Sequence, residues 1–104
     1  MRQKTVSLDC DAHLANSLAL AVRAYAEAAY PSGGSECAQV ARAALVDVAA
    51  LCEAHSGGHL VLRRRLMPQV RAAVRWCLSQ DGPAHVEFAP GLESVLEIDA
   101  KSTR

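Results

Sequence analysis

The chain has 104 residues, 51% of them hydrophobic, with 11 basic residues balanced by 11 acidic ones. That length fits residues 1–104 into a single domain with one core and no need of covalent staples. Zero net charge disfavours a nucleic-acid binder held mainly by phosphate contacts, and a polybasic membrane anchor.

Alanine is the commonest residue, at 20, against 23 for Val, Leu and Ile together and 4% aromatics. Alanine is the best helix former and lets helix backbones approach closely. The expected class is therefore mainly α (α+β), and an all-β fold is disfavoured. Cys10, Cys37, Cys52 and Cys77 would suit two disulfides in a secreted chain. The start does not read as secretory, because Asp9, Asp11, His13 and Asn16 interrupt the apolar run after Arg2 and Lys4. No stretch approaches ~20 uninterrupted apolar residues. The expectation is a cytoplasmic protein with reduced thiols.

Residues 3–8 are β-branched and polar, with Val6 and Leu8 on one side, and predict a short strand or extended arm. Asp9 or Asp11 can cap a following helix that runs to Tyr30. Leu14, Leu18, Val22 and Tyr25 recur at steps of four and three and define its apolar face. That face could meet the core or a second subunit. Pro31–Gly34 stops the helix. Ser35 opens a second one, with the apolar stripe Val40, Ala44, Val48, Leu51 and Cys52, flanked by Ala41 and Leu45. Ser56-Gly57-Gly58 ends it. Two long helices joined by so short a turn predict an antiparallel pair.

A third helical region runs from His59 to Gln80. Pro68 should split it into a short helix at 60–66 and a longer one at 68–80, with Leu66, Val70, Val74, Cys77 and Leu78 inward. Asp81-Gly82-Pro83 stops it. Beyond, residues 85–88 and 97–99 alternate polar and apolar around Pro90-Gly91. They predict a small C-terminal β-hairpin over 84–99. The rival is a short helix at 92–98, since Leu92, Val95 and Leu96 also keep helical spacing.

No motif here names a reaction. Cys10 with His13, and Cys52 with His55 and His59, place soft ligands a helical turn apart and could hold zinc. The Cys-x₂-Cys pairs usual in structural zinc sites are missing, and buried cysteine ordinarily serves as a small hydrophobe. A cysteine nucleophile needs a base and an electropositive setting, which the pattern does not supply. The Gly-Gly pairs lack the lysine and spacing of a phosphate loop. The expectation is no enzyme, no cofactor and no metal.

The charges are segregated. Arg63, Arg64, Arg65, Arg71 and Arg75 occur with no acid among them, and Asp81, Glu87, Glu93, Glu97 and Asp99 with no base. On a continuous helix, Arg64, Arg71 and Arg75 share one face, an anion or acidic-partner patch if the acidic tail does not cover it. Trp76, the only tryptophan, points away from the Leu66–Val70–Val74 stripe. It is either packed under another element or an interface anchor.

Two resemblances follow. Lys4 to Asp9, followed by a helix, and Gly34-Ser35-Glu36 opening another, resemble the ribbon-helix-helix family of dimeric repressors over roughly residues 3–52. That resemblance implies a strand paired across a dimer, with Gln3, Thr5 and Ser7 reading DNA. The zero net charge departs from that family. In length and element type only, the whole chain is similar to small bacterial antiactivators of LuxR-type quorum-sensing regulators, the QslA and TraM type. This implies a small homodimer that masks a transcription factor. The function expected is a non-enzymatic, cytoplasmic regulator acting by protein–protein contact; the alternative is a ribbon-helix-helix DNA-binding repressor. The candidate partner or dimer surface comprises Leu14, Leu18, Val22, Tyr25, Arg64, Arg65, Arg71, Arg75 and Trp76.

Overall fold

The computed structural model describes residues 5–79 and 92–96. In chain order these form strand β1 (Thr5–Asp9), helix α1 (Ala12–Ala29), helix α2 (Glu36–Ala54), strand β2 (His59–Arg63), a 3-10 turn (Arg64–Leu66), helix α3 (Met67–Leu78) and a 3-10 turn at Leu92–Ser94. The expected mainly helical α+β class holds, with α1 and α2 as the long pair.

The helices begin where the sequence caps them. The Asp11 carboxylate accepts from the Leu14 amide at 2.7 Å, and the Ser35 hydroxyl accepts from the Ala38 amide at 3.2 Å. Each satisfies a donor that the first helical turn leaves unpaired. Pro68 lies in the first turn of α3, where a missing amide hydrogen costs nothing.

The largest departure from expectation is at 59–66. These residues predict a short helix; they form β2 and a 3-10 turn instead. β2 pairs antiparallel with β1 in the register Val6 to Leu62 and Leu8 to Leu60. All four of those side chains are buried, while Thr5, Ser7, Asp9, His59, Val61 and Arg63 point outward and are exposed. Gly57 and Gly58, at φ +140 and +82, turn the chain from α2 into β2 through backbone shapes that other residues rarely adopt. The Cys10 amide donates to the Gly58 carbonyl at 3.0 Å, and His55 Nε2 bonds the Cys10 carbonyl at 2.8 Å. A carbonyl only accepts, so the Nε2 nitrogen carries the proton. Both backbone groups of Cys10 are thus satisfied by the loop after α2, which locks the strand pair at one end.

One core joins all the elements. It contains Leu18 and Val22 from α1, Leu45, Val48, Ala49 and Cys52 from α2, and Met67, Val70, Ala73 and Val74 from α3, beneath the sheet. Leu14 and Tyr25 pack partly buried against it. The α1 face left open between core and second subunit is therefore spent on the core. Leu78, expected inward, is 47% exposed. It lies beside the buried row Val70–Val74–Cys77 rather than on it.

Of the C-terminal hairpin, its strands at 85–88 and 97–99 lie outside the described residues. Residues 92–96 are helical, and Leu92 and Val95 are buried in the core, as the rival helical reading predicts.

Truncating Leu62 to Ala should cost about 2–5 kcal/mol, read as a lower urea midpoint, because it removes a buried side chain where the core meets the groove. Val40→Ala, on an α2 side chain the sequence places in the core but the fold leaves exposed, should change stability by no more than about 0.5 kcal/mol.

Candidate docking groove

α2 carries two apolar rows, and only one is buried. Leu45, Val48, Ala49 and Cys52 face α1. Val40, Ala44 and Leu51 lie roughly 120° further round the helix, at about 100° per residue. Of these, Val40 is 70% and Leu51 54% exposed. The stripe that spacing alone assigns to the core is therefore split: Val48 and Cys52 are buried with Leu45, while Val40 and Leu51 face solvent.

Two charge pairs form in this rotation. Arg23 of α1 grips both carboxylate oxygens of Glu53 at 2.7 and 2.8 Å. Arg42 pairs with Glu27 and also donates to the Tyr30 carbonyl at 3.0 Å. Residues 42 and 53 flank the buried row of α2 at its two ends, so both clamps favour burial of that row. The Arg23–Glu53 bond holds the Glu53 carboxyl below its usual range. The pair is solvent-exposed and acts as a guide to orientation rather than a large source of stability.

Ala44 and Leu51 of the outward row help form one wall of an open groove of about 400 Å³, and Val40 lies beyond its end. Val48 and Leu62 reach it from the core, and Ala44, Asp47 and Leu51 line the α2 side. Val61, Arg63, Arg65 and Leu66 form the other side, and Thr5 of β1 closes it. Alternation along β2 turns Val61, 51% exposed, to the outside with Arg63. Arg63 and Arg65 are exposed and have no ion-pair partner among the described residues.

The arginine cluster is thus divided rather than aligned. β2 and the 3-10 turn break the continuous helix on which Arg64, Arg71 and Arg75 would share a face. Arg64 is partly buried on the turn; Arg71, partly buried, and Arg75, exposed, lie a turn apart on α3. Among the candidate surface residues, only Arg65 lines the groove. The sequence reading missed Leu51, Val61 and Arg63 as groove residues. The available signal was the alternation of His59-Leu60-Val61-Leu62-Arg63 directly after two glycines.

Trp76 lies half-buried against α1. Its ring centroid is 5.9 Å from that of Tyr25, which meets Tyr30 edge-on at 6.2 Å. Of its two readings, the structure supplies packing: it belongs to an aromatic row that seals α3 onto α1.

The thiols divide three to one. Cys10, Cys52 and Cys77 are buried, and Cys37 is exposed. Burial raises the Cys10 thiol pKa, pushes Cys77 up to about 11 and Cys52 up to about 12. The Cys77 thiol donates to the Ala21 carbonyl at 3.6 Å. Such thiols stay protonated and make poor nucleophiles. Among the described residues, no three of His, Cys, Asp and Glu gather as a metal-ligand group, and His55 Nε2 is engaged by the Cys10 carbonyl. Among the same residues, no helix is long and apolar enough to cross a membrane.

No protein-family model, curated protein or solved structure matches the chain.

At about pH 8, iodoacetamide should label Cys37 alone in the folded protein, and all four thiols in urea; mass spectrometry counts the adducts. A thiol with a raised folded pKa holds its proton longer in the fold than in the unfolded chain. For Cys52, the associated stability is complete below the ordinary value of 9.0 and is lost as pH rises toward about 12. The thermal midpoint should therefore fall over that window, and less so in Cys52→Ala.

Proposed function

We propose that this protein is a non-enzymatic regulator that acts by protein–protein contact, an antiactivator-type chain that masks a surface on a transcription factor. The observation supporting this reading is the apolar row Val40–Ala44–Leu51, left outside the core beside a groove rimmed by arginines. Exposed apolar side chains beside a charged edge are the composition of a recognition site. The buried, protonated thiols fit the same reading, since they serve packing rather than chemistry. The similarity to small quorum-sensing antiactivators adds the target class, a transcription regulator, and a homodimer as the working form.

The ribbon-helix-helix alternative fits less well. β1 pairs with β2 of its own chain, so one of its edges is already occupied. Asp9 and Val61 share the outer sheet face with the would-be readers Thr5 and Ser7, while Gln3 lies outside the described residues.

Affinity capture from native cell extract, with protein and nucleic acid both identified, should recover a transcription regulator. The purified pair should show reduced occupancy of that regulator's DNA site in a gel shift. Direct, steeply salt-dependent DNA binding by the chain alone, relaxed by Thr5 and Ser7 substitutions, would instead establish the repressor.

A further inference from the structure

We propose that the groove between α2 and β2 seats an amphipathic helix of a partner protein, one that carries apolar side chains along one face and acidic residues at that face's β2-side edge. The proposal rests on the protein-contact reading above and adds the chemistry of the partner.

Shape points to a helix. Val40, Ala44 and Leu51 follow one line along α2, and 11 residues at 1.5 Å each make that line about 16 Å long. This matches three turns of a helix presenting apolar residues at i, i+4, i+7 and i+11. Ala44 is small, so a second helix can approach the α2 backbone closely there. Val61, across the groove, supplies apolar contact from the other side. A small ligand would fill the open depression but leave Val40, a full turn beyond Ala44, uncovered.

Charge determines the partner's composition and orientation. Arg63 and Arg65 stand exposed on the β2 wall, without an ion-pair partner among the described residues. Asp47 stands on the α2 wall. A partner's carboxylates are thus drawn to the β2 side and repelled from the α2 side. That asymmetry fixes which way round the helix lies and disfavours a basic amphipathic helix. A second copy of α2 is a poorer occupant: stacked antiparallel about the middle of the stripe, it would bring the two Asp47 carboxylates toward one another.

The test selects from a displayed library of amphipathic helices, about 14 residues long, with leucines on one face and flanking positions drawn from Glu, Lys, Gln and Ser. The whole chain is the bait. Enriched helices should carry Glu along one edge only. Their binding should weaken with salt, and fall about tenfold or more in Leu51→Glu and in Arg65→Glu. Both substitutions lie at exposed positions, and circular dichroism and the urea midpoint confirm that the variants fold. Arg75→Glu, exposed on α3, should leave binding unchanged.

Enrichment without acidic bias, or binding indifferent to Leu51→Glu, overturns the proposal. So does sedimentation showing a dimer that Leu51→Glu dissociates, since a second copy then owns the face. If the regulator captured from extract binds Leu51→Glu and wild type equally, the groove is wrong while the protein-contact function stands. If the extract yields no regulator, that function fails on its own account, whatever the library returns.

Discussion

α2 is flanked by apolar residues on more than one side, and α1 can cover only one of them. Burying Leu45, Val48, Ala49 and Cys52 against Leu18 and Val22 leaves Val40 and Leu51 facing water. Burial itself favours this rotation, because the outward row Val40, Ala44 and Leu51 is one residue shorter than the buried one. Arg23–Glu53 and Arg42–Glu27 act in the same direction: turning α2 to bury Val40 and Leu51 would pull both clamps apart. The exposed charges contribute little to stability, yet their geometry adds to the preference for this packing.

From that rotation the rest follows. With Cys52 inward, the end of α2 points His55 at the Cys10 carbonyl, and the turn at Gly57 and Gly58 sends the chain back alongside β1. The register then puts Leu60 and Leu62 over the core and Val61 and Arg63 outside it. A slip of one residue would bury an arginine and expose two leucines, so the pairing is held strongly. The groove therefore results from two alternations, one of period 3.6 along α2 and one of period 2 along β2, meeting at Val48 and Leu62.

Much of this was readable from residue patterns. Asp11 and Ser35 announce their helices through side chains that compete well for unpaired amides, and Pro68 marks the start of α3 because nowhere else in a helix tolerates it. These are local effects, which a sequence displays directly. β2 was hidden because leucine and arginine are good helix formers, and its strand state depends on β1, some fifty residues away in the chain. The outward row of α2 was hidden for a related reason. Spacing shows that a helix has an apolar stripe but not which of two stripes finds a partner. Trp76 was half legible: its direction off the main stripe was correct, but Tyr25, which it meets, lies on another helix.

The arginine run shows how the two errors were linked. Read as helix, residues 60–75 align Arg64, Arg71 and Arg75 into one basic face; read as strand and turn, they divide. Arg63 takes its outward direction from the strand, and Arg65 its position from the 3-10 turn that follows. Both reach the groove that the misassigned α2 stripe opens onto. A zero net charge therefore coexists with a small cationic edge placed against apolar surface. Covering Val40, Leu51 and Val61, already partly shielded, would recover about 1–2 kcal/mol of apolar burial for each. Much of that is spent on the lost freedom of association, so apolar area alone leaves affinity modest and unselective. The two arginines, opposed by Asp47, supply what the area lacks, a preference for one charge sign and one orientation.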